Sequence, residues 1–190
     1  PQTSLSKTTI GPNYKKNYPE QNVLNWAPSI MFRYMFNKQH VLMFRYRGRS
    51  STPNIEDLQE VIDITDPMNM RYGNPNLKPS FNNSFTLDYR KFVPEAMRSY
   101  SANLYYTNTL NSVANKMTYD PETGARVYKK ENVNGNWQAR GYFSFNTPLK
   151  NKKFTISSNT NARYSDAVSY TSVGNNRNLD QELSTTHNLS

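Results

Sequence analysis

From Asn25 onward the chain alternates apolar and polar residues in runs of about 10 to 14, nearly twice the length of an ordinary globular strand. Alternation with period two puts successive side chains on opposite faces of a strand. The first run, Asn25 to Phe36, sets Ile30, Phe32, Tyr34 and Phe36 against Met31, Arg33, Met35 and Asn37. The second, His40 to Arg49, sets Leu42, Phe44 and Tyr46 against Arg45, Arg47 and Arg49. The third, Ser80 to Lys91, sets Phe81, Phe85, Leu87 and Tyr89 against Asn82, Ser84, Thr86, Asp88 and Arg90. A fourth begins near Ser99, a fifth spans about Trp137 to Phe145, a sixth runs from Phe154 to Arg163, and a seventh starts near Leu183. The expected fold is all-β: an antiparallel meander of about seven long strands, with Phe32, Phe44, Phe85 and Leu104 on one face and Arg33, Arg45, Thr86 and Asn103 on the other.

The polar face separates this pattern from a soluble sandwich, because it carries long rows of Asn, Ser, Thr and Arg. A strand of about 10 residues tilted by about 45° crosses a bilayer core, with one face against lipid and the other wet. The connections agree. Asn37–Gln39, Phe92–Arg98 and Thr147–Lys153 read as short turns; Arg49–Pro79, Ser112–Asn136 and Tyr164–Glu182 read as long loops. Strict alternation of short and long is what a transmembrane barrel does, with long loops at one end and turns at the other. Asn134-Gly135 is a hairpin signal by itself. Taking it as a turn breaks the parity, so the expectation is a bulge in one long strand, with the loop tip at Asp120–Gly124. Within Arg49–Pro79 one short helix is expected, capped by Thr52, with Pro53 at its first position and Glu56 and Asp57 in its first turn. The aromatics Trp26, Tyr34, Tyr46, Tyr89, Tyr100 and Trp137 suit the two interfacial girdles of a barrel.

Composition removes several function classes. The 190 residues contain no Cys, so disulfide scaffolds and thiolate metal sites are excluded. No run of about 18 apolar residues provides a transmembrane helix. The opening residues Pro1–Ser4 lack the features of a signal peptide. The abrupt start and the stop inside a strand lead us to expect an excised fragment. The formal charge of +9 is compatible with several anionic partners and selects none.

Catalytic signatures are sparse. The two histidines, His40 and His187, have no nucleophile at a recognisable spacing, and His40 reads as a surface turn residue. No Gly-rich phosphate loop occurs. Glu56, Asp57, Glu60, Asp63 and Asp66 form an acidic run without calcium-loop spacing, which reads as a solvated helix face. Arg45, Arg47 and Arg49 interleave with Phe44 and Tyr46, but strand geometry sends arginines and rings to opposite faces, whereas a nucleic-acid stacking platform needs them together. The candidate lumen-lining residues are therefore Arg33, Arg45, Arg47, Arg90 and Arg140. No enzyme, metal site, cofactor or nucleic-acid partner is expected.

Short motifs add a resemblance. Gly73-Asn74-Pro75-Asn76-Leu77-Lys78-Pro79 before an alternating strand resembles the corresponding segment of TonB-dependent receptor barrels. Phe44–Arg47 followed by Arg49–Pro53 looks like the strand and loop preceding it. Asn25–Ser29 resembles the start of an earlier strand, and Thr147–Phe154 a periplasmic turn of the outer-membrane barrels common in Bacteroidetes. The resemblance is strongest over residues 25–163. It implies that residues 1–190 are part of a barrel in the outer membrane of a Gram-negative bacterium. The implied partners are outer-membrane lipid, the rest of the barrel and its plug domain, the TonB system acting through the full-length parent, and a nutrient ligand. No plug domain is found, and about seven strands stand where the family's barrels have about 22. The alternative reading is a soluble all-β binding module, for instance for glycans, presenting its Tyr and Trp side chains.

Overall fold

The computed structural model describes residues 2–4, 22–59, 62–63, 66–149, 153–170 and 177–189. In chain order the elements are β1 (Gln2–Ser4), β2 (Asn22–Leu24), β3 (Ser29–Asn37), β4 (His40–Ser51), α1 (Ile55–Leu58), β5 (Ile62–Asp63), β6 (Asn69–Tyr72), β7 (Ser80–Val93), β8 (Arg98–Leu110), β9 (Ser112–Tyr119), β10 (Arg126–Val133), β11 (Asn136–Pro148), β12 (Thr155–Tyr170) and β13 (Arg177–Leu189). A seven-stranded sheet in the order β13-β12-β11-β8-β7-β4-β3 dominates. All of its pairings are antiparallel, and each strand lies beside its neighbour along the chain once β5, β6 and the β9–β10 excursion are set aside. The antiparallel meander of seven long strands is therefore the fold. Short alternating sequences joined by tight connections give this topology directly, because an antiparallel hairpin needs only a few linking residues.

Ladder register confirms the expected faces. Phe44 lies opposite both Phe32 and Leu87, and Leu87 opposite Leu104. Arg45 lies opposite Thr86, and Asp88 opposite Asn103. Among the described residues no apolar side chain is buried within this sheet; the buried apolar residues are Leu77, Ala125 and Val133, all in the connections at one end. Phe32 is 56% exposed and Leu104 55% exposed. A sandwich would bury one of these faces against a second sheet. This sheet is a single wall, open between β3 and β13.

The apolar face is banded. Along β8, Tyr100, Ala102, Leu104 and Tyr106 lie between Arg98 and Asn108 on the same face. The ten residue steps from Arg98 to Asn108 extend about 34 Å along the strand, or about 25 Å across a bilayer at the usual barrel tilt. At the upper rim the rings form a cross-strand chain: Tyr46–Phe85 at 4.9 Å, Phe85–Tyr106 at 6.0 Å, Tyr106–Trp137 at 5.8 Å and Trp137–Tyr164 at 5.1 Å. Tyr46 donates from its hydroxyl to Asn83 Oδ1 at 2.9 Å, joining ring and polar rim as an interfacial tyrosine does. At the lower rim His40 stacks on Phe36 at 4.1 Å and meets the edge of Tyr89 at 5.2 Å, and Tyr100 packs on Phe145 at 5.0 Å. His40 is thus half-buried in an aromatic cluster rather than a plain surface residue, because its parity places it on the apolar face.

Four expectations need correction. The sixth connection is not the long loop Tyr164–Glu182: β12 continues to Tyr170 and β13 already begins at Arg177, pairing with it throughout. Strand continues past the membrane band because backbone ladder bonds are as available there as within it. The helix is one turn, Ile55–Leu58, with Asn54 rather than Thr52 at its cap and no side-chain cap bond. Asn134-Gly135 is neither a turn nor a bulge. Thr109 faces Asn136 below it and Ser112 faces Val133 above it, so two residues on each strand pass through with register unchanged. Asn111 (φ 51°) and Gly135 (φ 110°) turn left-handed together, and the hairpin kinks there as a unit. The meander also has a parallel exception outside the main sheet, β10 with β6.

Candidate functional site

Two features converge at the same end of the sheet: a polar wall and a structured mouth above it. The wall is the face opposite the apolar band, and its residues fall into cross-strand rows. One row runs Met31, Arg45, Thr86, Tyr105, Arg140 and Arg163. The next runs Arg33, Met43, Asp88, Asn103, Tyr142 and Asn161. Arg47 lies opposite Ser84, and Arg90 opposite Val41 and Ser101, on the same side. All five arginines singled out from the sequence therefore share one face. Arg49, which the sequence places in one row with Arg45 and Arg47, shares it too, as does Arg163, which was missed as a candidate although the same parity identifies it.

Charge on this wall is only partly compensated. Arg45 Nη2 donates to Asp88 Oδ2 at 2.8 Å, and Asn103 Nδ2 donates to Asp88 Oδ1 at 2.6 Å, tying β4, β7 and β8 together. Among the described residues the other wall arginines have no carboxylate within ion-pair distance. Arg140 Nη2 reaches only Gln138 Oε1, at 3.3 Å, and the Tyr142 hydroxyl donates to Asn159 Oδ1 at 3.1 Å. Around Arg140 and Arg163 lies an open groove of about 630 Å³, floored by the β8–β11–β12 ladder and lined by Asn103, Tyr105, Gln138, Tyr142 and Asn161.

The mouth is built from the described residues between Thr52 and Pro79 and the β9–β10 hairpin. Gly73–Pro79, recognisable in the sequence only as a motif, is the clamp between them. Asn74 is buried; its Nδ2 donates to the Lys130 carbonyl at 2.8 Å, and its backbone N–H donates to the Asp57 carbonyl at 2.6 Å. The Asn76 N–H donates to Asn74 Oδ1 at 3.1 Å, closing the turn. Lys78 N–H donates to Asn132 Oδ1 at 2.7 Å, and Asn132 Nδ2 donates back to the Lys78 carbonyl at 3.0 Å and to Asn111 O at 2.8 Å. Leu77 is buried under this arrangement. A side chain at Gly73 would collide with the Gln59 carbonyl oxygen, 1.8 Å from an added Cβ, which explains the glycine.

Ion pairs brace the same layer. Lys130 Nζ lies 2.7 Å from Asp57 Oδ1, and Lys116 Nζ 3.0 Å from Glu131 Oε1. The Tyr170 hydroxyl donates to Glu131 Oε2 at 2.9 Å, fixing β12 to the hairpin. Desolvation pushes the Glu131 carboxyl up, but hydrogen bonds from Lys116 and Tyr170 and the charges of Lys116 and Lys129 outweigh it, leaving it below its ordinary value. The acidic run disperses. Asp57 pairs with Lys130, Glu56 is exposed, and Asp66 accepts from Asn69 Nδ2 at 2.7 Å and Met68 N–H at 2.9 Å, bonds that hold its carboxyl low. Glu60 and the Asp63 side chain lie outside the described residues, as does the side chain of His187. At the loop tip Asp120 accepts from the Thr123 hydroxyl at 2.6 Å and Glu122 N–H at 3.0 Å.

Among the described residues the arrangement brings together no nucleophile and base; it offers a polar, cationic surface beneath a hydrogen-bonded cap. No curated protein and no solved structure matches the chain. Residues 4–190, nearly the full length, match the outer membrane protein beta-barrel family. The chain belongs to the outer membrane protein beta-barrel family, its antiparallel meander forming barrel wall in the outer membrane.

Proposed function

We propose that this wall belongs to a TonB-dependent receptor of the Bacteroidetes type, which takes up a nutrient across the outer membrane. The observation that carries the reading is the mouth layer: Gly73–Pro79, the segment resembling those receptors, joins two long connections into one cap above the arginine-bearing face. A cap held by reciprocal side-chain bonds suits a receptor that captures a solute at the mouth, since binding loops on a rigid scaffold carry recognition. The plug and the TonB contact belong to the full-length parent. The wall arginines line its lumen, and this chain contributes no catalysis.

The test is solute depletion by cells carrying or lacking the full-length parent, with and without a protonophore and in a TonB-deficient strain. A solute removed only when parent, TonB and proton-motive force are all present supports the reading. Depletion indifferent to TonB and the protonophore assigns the barrel to passive passage or adhesion instead.

A further inference from the structure

Arg140 and Arg163 face each other directly across the β11–β12 ladder. Like charges directly opposite on one sheet face repel, so such a pair costs stability unless an anion lies between them. Among the described side chains nothing supplies it: Asp88 of the same wall is already held by Arg45 and Asn103. Arg140 is exposed and keeps most of its guanidinium donors free; its one side-chain bond, to Gln138, is long. Two planar forks of donors on adjacent strands can grip a single oxyanion, each guanidinium matching two oxygens.

We propose that the Arg140–Arg163 pair is a binding site for an anionic solute, held by its carboxylate or sulfate group between the two guanidinium groups. Tyr105 and Tyr142 flank the pair, offering ring faces and one hydroxyl each, while Gln138 and Asn161 supply amides to the solute's neutral polar groups. The groove of about 630 Å³ admits a solute of several ring or chain units. This inference rests on the reading of the polar face as barrel interior and names the ligand class for that interior.

The experiment uses the full-length parent, purified in detergent, with citrate as the charged probe and triethyl citrate as its neutral counterpart. Binding is measured by calorimetry for the parent and for Arg140→Gln, Arg163→Gln and Arg47→Gln variants. The expected result is citrate binding without triethyl citrate binding, weakened at least tenfold by either Arg140→Gln or Arg163→Gln and less than threefold by Arg47→Gln, which lies on the same face outside the groove. Absence of citrate binding, or equal loss in all three variants, overturns the paired site. A second measurement separates that failure from failure of the interior reading. Because the chain has no Cys, Asn161→Cys and Leu104→Cys can each be probed with a water-soluble maleimide in outer-membrane vesicles. Labelling of Asn161→Cys alone upholds the wet face whatever citrate does. Labelling of Leu104→Cys alone overturns the interior reading and the proposal with it.

Discussion

Asn111 and Asn134 meet across the kink of one continuous hairpin, the Asn111 N–H donating to Asn134 Oδ1 at 2.7 Å. Below them β8 and β11 form barrel wall; above them β9 and β10 fold over, and β10 pairs with β6. The side-chain oxygen of Asn134 satisfies the Asn111 backbone donor that the kink removes from the ladder. The mouth layer is therefore wall strand redirected, rather than a loop laid on top of it.

Asn132 is the centre of that layer, and Asn132→Ala removes its bonds to Lys78 and Asn111. The layer should weaken by about 1 to 3 kcal/mol, the usual cost of stranding partly buried polar partners. Protease nicking between residues 112 and 135 on intact cells should rise, while heat-modifiability of the barrel stays normal. Loss of heat-modifiability would mean that the clamp also holds the wall.

Gly73→Ala should displace residues 55–59, since the added Cβ meets backbone rather than a flexible side chain. Gly141→Ala is the control: its Cβ would sit 3.6 Å from Leu104 Cδ2, an ordinary contact. Protection of the Asp57 and Asn74 amides against hydrogen exchange should fall in the first variant and hold in the second.

Much of this was legible in the sequence. Alternation fixed which side of the wall Phe44 and Arg45 occupy, because a one-residue error in register would have reversed a whole strand. The loop tip at Asp120–Gly124 follows from turn chemistry and is where the chain turns. What sequence could not supply is contact between distant connections. Nothing local in Asn132 announces that it bonds Lys78, and Lys130 meets Asp57 only because β10 folds back over α1. The kink was misread for a related reason. Asn-Gly signals left-handed backbone, but only the partner strand shows that Asn111 bends with it. The extent of β12 was underestimated because Tyr164–Tyr170 alternates weakly and gains its ladder from β13.

Acid should loosen the hairpin. The Glu131 carboxyl lies below its ordinary value in the folded layer, so its contribution is present above the unfolded value and is lost as pH falls through the folded one. Exchange of hairpin amides should accelerate in that acidic window, and Glu131→Gln should flatten the dependence. An unchanged pH profile in Glu131→Gln would remove this carboxyl as its source.

The central claim is that one face of the sheet meets lipid and the other water. It is tested most directly by spin labels placed singly at residues 101 to 106 of β8 in the full-length parent, reconstituted in bilayers. Collision rates with oxygen, which concentrates in lipid, and with a water-soluble nickel chelate should oscillate out of phase with period two. The account predicts oxygen maxima at Ala102, Leu104 and Tyr106 and nickel maxima at Ser101, Asn103 and Tyr105. Oscillation in the reverse phase, or nickel access at every position, would contradict it.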